Sequence, residues 1–170
     1  MRLCLLRHAE AAANEDDAAR ELTELGWAQA QAVAEWLAEQ AGGRVGVIAS
    51  PLLRAQQTAG VVQQALALGH VDTLDALVPE GDILQAEHQL SLALGDLDML
   101  VVVSHMPLLA TLASWLEEGV LGMGEAFSLA EVRVFEAEVV APGICQRVDA
   151  FRPEETTRAL SELVALISRF

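Results

Sequence analysis

The sequence predicts an α/β fold in which short buried strands run directly into helices, with the chemistry-bearing residues at the junctions. Three stretches carry that prediction. Leu3-Cys4-Leu5-Leu6 stops at Arg7-His8, Val45 to Ala49 stops at Ser50-Pro51, and Met99 to Val103 stops at Ser104-His105-Met106-Pro107. Runs this short and this uniformly apolar fit strands covered on both faces of a sheet. Such strands present ligand-binding groups where they end, at their carboxyl edge.

The elements follow in order. After the first strand, Ala9 to Leu22 is small and acidic (Ala11, Ala12, Ala13, Asn14, Glu15, Asp16, Asp17) and reads as a solvated loop closed by Arg20. Thr23 is an N-cap for a helix that stops at Gly42-Gly43. Ala30, Val33, Ala34, Leu37 and Ala41 recur at helical spacing and give it a buried face. Val45 to Ala49 is the second strand. Ser50-Pro51 then reads as N-cap and first helical position of a helix reaching about Leu68. Arg54 lies one turn in, and helical side chains lean toward the N-terminus, so its guanidinium reaches back over the helix start.

Residues 71–78 (Val71, Leu74, Leu77, Val78) predict a third strand, ending at Pro79-Glu80-Gly81-Asp82, with a helix from about Asp82 to Leu94. Met99 to Val103 is the clearest strand. Pro107 predicts the first helical position of the next helix, running to about Glu118. Methionine cannot cap, which leaves the first amides beside Met106 for an anion. Past a glycine-rich turn, Glu131–Val140 and Ile144–Phe151 alternate like two strands joined by Pro142-Gly143. Pro153 opens a last helix with Leu160, Leu163, Val164, Ile167 and Phe170 on one face.

Composition narrows the function. A chain of 170 residues, 53% of them hydrophobic, suits a single domain over residues 1–170. No apolar run approaches the roughly 20 residues of a membrane span, and the N-terminal run is too short for a signal peptide. The expectation is a cytoplasmic protein. A net charge of −15 argues against a nucleic-acid partner. All ten basic residues are arginines. Without lysine there is no Schiff base and no phosphate-loop lysine. An anion site must then be built from arginine forks, helix N-termini and histidine. Cys4 and Cys145 are far apart and carry no metal or redox spacing.

Arg7, His8, Arg54, His105 and the Met106 amide thus converge on one edge and make a cradle for a tetrahedral dianion. Two histidines in one phosphate site allow attack by one imidazole and charge stabilisation or proton handling by the other.

Leu-Leu-Arg-His-Ala-Glu-Ala (5–11), Ala-Ser-Pro-Leu-Leu-Arg-Ala-Gln-Gln-Thr-Ala (49–59) and Val-Val-Ser-His-Met-Pro-Leu-Leu (102–109), in that order, resemble the motifs of the histidine phosphatase superfamily. The short chain resembles its SixA-type phosphohistidine phosphatase branch. The resemblance implies a phosphoglycerate mutase-like three-layer α/β/α sandwich with a largely parallel sheet and no cofactor or metal. It implies His8 as the nucleophile, Arg7 and Arg54 as clamps on the phosphoryl oxygens, and His105 as the second phosphate-pocket histidine. Ala9 and Ser104 stand where many members have glycine; both are small. For the superfamily's proton-donating carboxylate the candidates are Glu80, then Asp82, the alternative for Asp82 being a helix cap. Arg20 matches an arginine common in this branch and could reach the phosphate; an ion pair with the acidic loop is the equal alternative.

Superfamily members that enclose small metabolites generally carry a helical insertion over the pocket. Here residues 69–98 are used up by one strand and one helix, which leaves no lid. The expectation is therefore a hydrolase acting on phosphohistidine of a phosphorylated protein, such as a histidine-containing phosphotransfer domain. The alternatives are a small-molecule phosphomonoesterase of the same superfamily and a phosphate-binding module without turnover.

Overall fold

The protein's structure is a computed structural model describing residues 1–153 and 165–169. Strands β1 (Arg2–Arg7), β2 (Val45–Ala49), β3 (Asp72–Thr73), β4 (Met99–Ser104), β5 (Val132–Glu136) and β6 (Gln146–Phe151) form one sheet in the order β3-β2-β4-β1-β5-β6. The first four run parallel, and β5 and β6 are antiparallel to their neighbours. Parallel neighbours need crossovers, and helices α1 (Glu24–Gln40), α2 (Leu53–Ala65) and α3 (Ile83–Leu94) supply them, with α4 (Leu108–Glu118) following β4.

Alternation along each strand sorts the core into two layers. Leu3, Leu5, Leu100 and Val102 point to one face and pack with Leu90 of α3 and Leu109, Leu112 and Leu116 of α4. Cys4, Leu6, Val101 and Val103 point to the other and pack with Val33 and Leu37 of α1 and Val62 of α2. The result is a three-layer α/β/α sandwich around β4, all six of whose residues are buried. Each fully buried leucine contributes about 2 kcal/mol against leaving it in water.

Thr23 caps α1 as expected, its hydroxyl accepting from the Gly26 amide. Asp82 caps α3, its carboxylate accepting from the Gln85 amide at 2.8 Å. Three expectations need correction. The third strand pairs with β2 only at Asp72 and Thr73, and Asp75–Leu77 turn into 3₁₀ helix. Leu74 and Leu77 are three residues apart, which puts both on one side of a 3₁₀ turn and fits that conformation better than a strand. Ser50 does not cap α2, which starts three residues later at Leu53 behind an uncapped Leu52. The Ser50 side chain is buried against His105 instead. Pro107 occupies the N-cap of α4, after a cis Met106–Pro107 bond, and the helix proper starts at Leu108.

The last two strands are shorter than expected, with the predicted turn at Pro142-Gly143, where Gly143 takes φ +72°. Of the last helix's apolar face, Leu160, Leu163, Val164 and Phe170 lie outside the described residues, and Ile167 is exposed. Among the described residues no helix is long and apolar enough to cross a membrane.

Candidate active site

Strand register builds the site. Arg7 of β1 stands beside Ser104 of β4, and Ala49 of β2 beside Val103. The next residue of each strand, His8, His105 and Ser50, therefore emerges at one place. The His8 amide still donates to the Ser104 carbonyl (3.0 Å) and the Ser50 amide to that of Val103 (3.0 Å). The two imidazole rings lie with centroids 5.0 Å apart, tilted by 53°.

His8 is buried, and its Nδ1 lies 2.7 Å from the Ala9 carbonyl oxygen. A carbonyl only accepts, so Nδ1 carries the proton and Nε2 the lone pair. The other side agrees: the Arg54 Nε–H, which only donates, points at Nε2 from 3.3 Å. Burial pushes the His8 pKa down to about 4; the Ala9 carbonyl opposes this, and the charges of Arg54, Arg7 and Arg20 add to it. The ring is neutral at pH 7, with its lone-pair nitrogen facing a guanidinium. Ala9 is held in turn by α2, its amide donating to the Thr58 hydroxyl, which donates to the Arg54 carbonyl.

His105 is also buried. Its Nε2 lies 2.7 Å from the Ser50 hydroxyl oxygen, and its Nδ1 has no partner among the described residues. Burial lowers its pKa to about 3, helped by His8 and Arg54 and opposed by Asp17. Arg7 is half-buried; Nη1 donates to the Phe127 carbonyl at 2.6 Å, and its buried Nε has no partner among the described residues. An unpartnered guanidinium N–H and an unpartnered imidazole nitrogen, both buried, are costly unless a ligand satisfies them. A phosphoryl oxygen has the charge and acceptor capacity to do so.

Arg54, on the first turn of α2, is 4% exposed. Beyond His8 it reaches into the loop after β1, Nη1 donating to the Asp17 carbonyl (2.8 Å) and Nη2 to its carboxylate (3.2 Å). Arg20 donates to the Ala12 and Ala11 carbonyls and pairs with the Asp17 carboxylate at 3.4 Å. The ion pair with the acidic loop is thus the contact observed for Arg20. The Met106 amide has no hydrogen-bond partner among the described residues, and the Met106 sulfur accepts from the Phe127 amide.

The expected carboxylates are not gathered in. Glu80 is exposed and lines a groove with Thr111, Leu121 and Met123, and Asp82 is engaged as the α3 cap. The carboxylate that the structure does bring to the cradle is Asp17, which the sequence hid in an acidic run. Sequence reasoning also missed Ser50 as a histidine partner, and the Phe127 carbonyl. Neither cysteine approaches the site's hydrogen bonds, and burial holds the Cys4 thiol up at about 12.

The model of the histidine phosphatase superfamily (branch 1) matches residues 3–79. Phosphohistidine phosphatase SixA of Escherichia coli (strain K12) is 33% identical over 122 residues, covering 70% of this chain and 76% of that protein. The structure of the protein histidine phosphatase SixA complexed with tungstate is similar at a TM-score of 0.81 and 26% identity, over 92% of this chain and 99% of that one. A mycobacterial glucosyl-3-phosphoglycerate phosphatase, with a TM-score of 0.62 and 19% identity over 79% of this chain and 89% of its own, is similar in fold alone.

Proposed function

This chain belongs to the histidine phosphatase superfamily, and from that premise we propose that it hydrolyses phosphohistidine on a protein through a covalent phosphoryl intermediate on His8. The observation that carries this is the state of His8: buried, neutral, with Nε2 unprotonated and set against Arg54. The Nε2 lone pair attacks phosphorus while the bond from phosphorus to the substrate's imidazole nitrogen breaks, and that imidazole leaves with a proton taken from solvent. Water then attacks phosphorus from the opposite side, the bond to Nε2 breaks, and inorganic phosphate departs as water gives up its proton. Arg7, Arg54 and His105 bind the phosphoryl oxygens, whose charge is spread in the transition state. The SixA structure that resembles this chain is a complex with tungstate, itself a tetrahedral oxyanion.

What covers the mouth supports the substrate class. Between α2 and β4 the chain forms β3, one 3₁₀ turn and α3, and α3 packs against α4 in the outer layer. No helix from this stretch roofs the cradle, which suits a phosphoryl group presented on a folded surface, such as a histidine-containing phosphotransfer domain. The exposed position of Glu80 fits too: a phosphorus–nitrogen bond breaks more readily than an ester, so a dedicated proton donor matters less. The reading carries with it a cytoplasmic location and no cofactor.

The test uses a labelled phosphohistidine-bearing domain beside a panel of sugar and nucleoside monophosphates. The domain is expected to have the higher kcat/KM, with acid-labile label trapped on the wild-type chain by rapid quench. His8→Ala should lose turnover by roughly 10⁴-fold and trap none. A metabolite preferred by about a hundredfold (~2.7 kcal/mol) would reassign the chain to small esters. Equal trapping in His8→Ala would remove His8 as the nucleophile.

A further inference from the structure

We infer that the Asp17 carboxylate is the resident anion of this site: it occupies one prong of Arg54 and yields that prong to the phosphoryl group, setting an electrostatic threshold for ligand entry. The inference rests on the reading of the cradle as a phosphoryl site and adds a specificity-determining residue to it.

In a guanidinium, Nε–H and one N–H of Nη2 form a single fork, the shape that matches two oxygens of a phosphate or carboxylate. In Arg54 one prong of that fork meets His8 Nε2, where the phosphoryl group must arrive, and the other meets Asp17 Oδ2. A phosphoryl group on Nε2 that takes the fork's second prong needs the place that the carboxylate holds. Asp17 can give way. It is 63% exposed, at the start of a single 3₁₀ turn, Asp17–Ala19, on the surface. Its two contacts with Arg54 are also separable, because the backbone carbonyl holds Nη1 and the carboxylate holds Nη2. Moving the carboxylate leaves the arginine tethered by the carbonyl.

Charge completes the argument. Desolvation pulls the Asp17 carboxyl upward, but the Arg54 and Arg20 guanidinia outweigh it and hold the group below its usual range, so it is ionised at neutral pH. Its field also reaches His105 on the far side of the cradle. An incoming anion therefore meets a negative charge within the clamp itself, which a dianion paired to Arg7, Arg54 and the helix start can displace and a weaker anion cannot.

The experiment is calorimetric titration of the purified chain with inorganic phosphate, which needs no turnover and no protein substrate. Asp17→Asn keeps the backbone carbonyl and the side-chain size while removing the charge. It is expected to bind phosphate roughly tenfold more tightly, the size of one like charge removed at close range. Asp16→Asn is the control. It removes the same charge one residue away, retains a side-chain oxygen for the Ala18 amide, and is expected to leave phosphate affinity unchanged. Unchanged or weaker binding by Asp17→Asn overturns the inference, weaker binding meaning that the carboxylate only aims Arg54. An equal gain in Asp16→Asn overturns it as well, because the effect is then one of overall charge. If no variant and no wild-type protein binds phosphate, the phosphoryl reading falls together with the inference. If phosphate binds as expected while phosphohistidine is not hydrolysed, only the proposed substrate falls.

Discussion

His8 has its nitrogens assigned by what surrounds them, and this has a spectroscopic consequence. The Ala9 carbonyl fixes the proton on Nδ1 and Arg54 faces the bare Nε2, while burial pushes the pKa down to about 4. A nitrogen-detected NMR titration of the unliganded chain should find the Nδ1–H tautomer from pH 7 to about 5, with protonation of Nε2 only near 4. The sign is that of a cation disfavoured by burial and by like charge, so acid, not base, removes the Nε2 lone pair. A midpoint near the ordinary histidine value of 6.5 would show that the free site is wet and Arg54 is elsewhere. At this scale the sequence was legible where chemistry sat on a strand end. Arg7, His8 and His105 follow apolar runs, and Arg54 follows a helix start. Asp17 was illegible because its partner Arg54 is 37 residues away in sequence, and nothing in an acidic loop distinguishes the one carboxylate that turns inward.

One scale up, β5 and the loop before it determine where Arg7 points. Arg133 of β5 is 1% exposed and uses its whole guanidinium. Nε donates to the buried Glu131 carboxylate (2.7 Å), Nη1 and Nη2 donate to the Glu125 and Ala126 carbonyls, and the group stacks on the Phe127 ring at 3.8 Å. Glu131 also accepts from the Ser128 amide. Together these fix residues 125–128, and so the Phe127 carbonyl that receives Arg7 Nη1. Arg133→Met should remove about 3 kcal/mol of stability, the size expected when one partner of a buried ion pair is lost, with Arg152 still paired to Glu131. Urea unfolding reads that loss, and turnover should fall although no reacting group has changed. A variant with wild-type stability and turnover would show that the loop holds itself. Glu131 and Arg133 are two apart and share a face, a signal present in the sequence. The absence of Ser50 capping was not legible, because a buried partner distant in sequence, His105, claims the hydroxyl, whereas the short β3 had a signal in the three-residue spacing of Leu74 and Leu77, which fits a 3₁₀ turn.

For the molecule as a whole, the site costs stability in acid. His8 and His105 are buried with pKa values lowered to about 4 and about 3, against about 6.5 in an unfolded chain. As pH falls from 6.5 toward 4, the unfolded chain gains protons on these two groups that the folded chain refuses, so the equilibrium moves toward unfolding. Above 6.5 both states hold them neutral and the term vanishes. Across the window each histidine removes about 1.4 kcal/mol per pH unit at most. Most carboxylates titrate below this interval, and the protons that they do take up near pH 5 are common to the wild type and the histidine variant that serves as its control. Urea midpoints measured at fixed salt from pH 7.5 to 5 should stay level at first and then decline below about 6.5. The His8→Asn, His105→Asn double variant should decline much less, since the two buried groups that refuse protons are gone. A wild-type midpoint that holds level down to pH 5 would mean that both imidazoles accept protons as readily in the folded chain as in the unfolded one, and burial would not be what keeps His8 neutral.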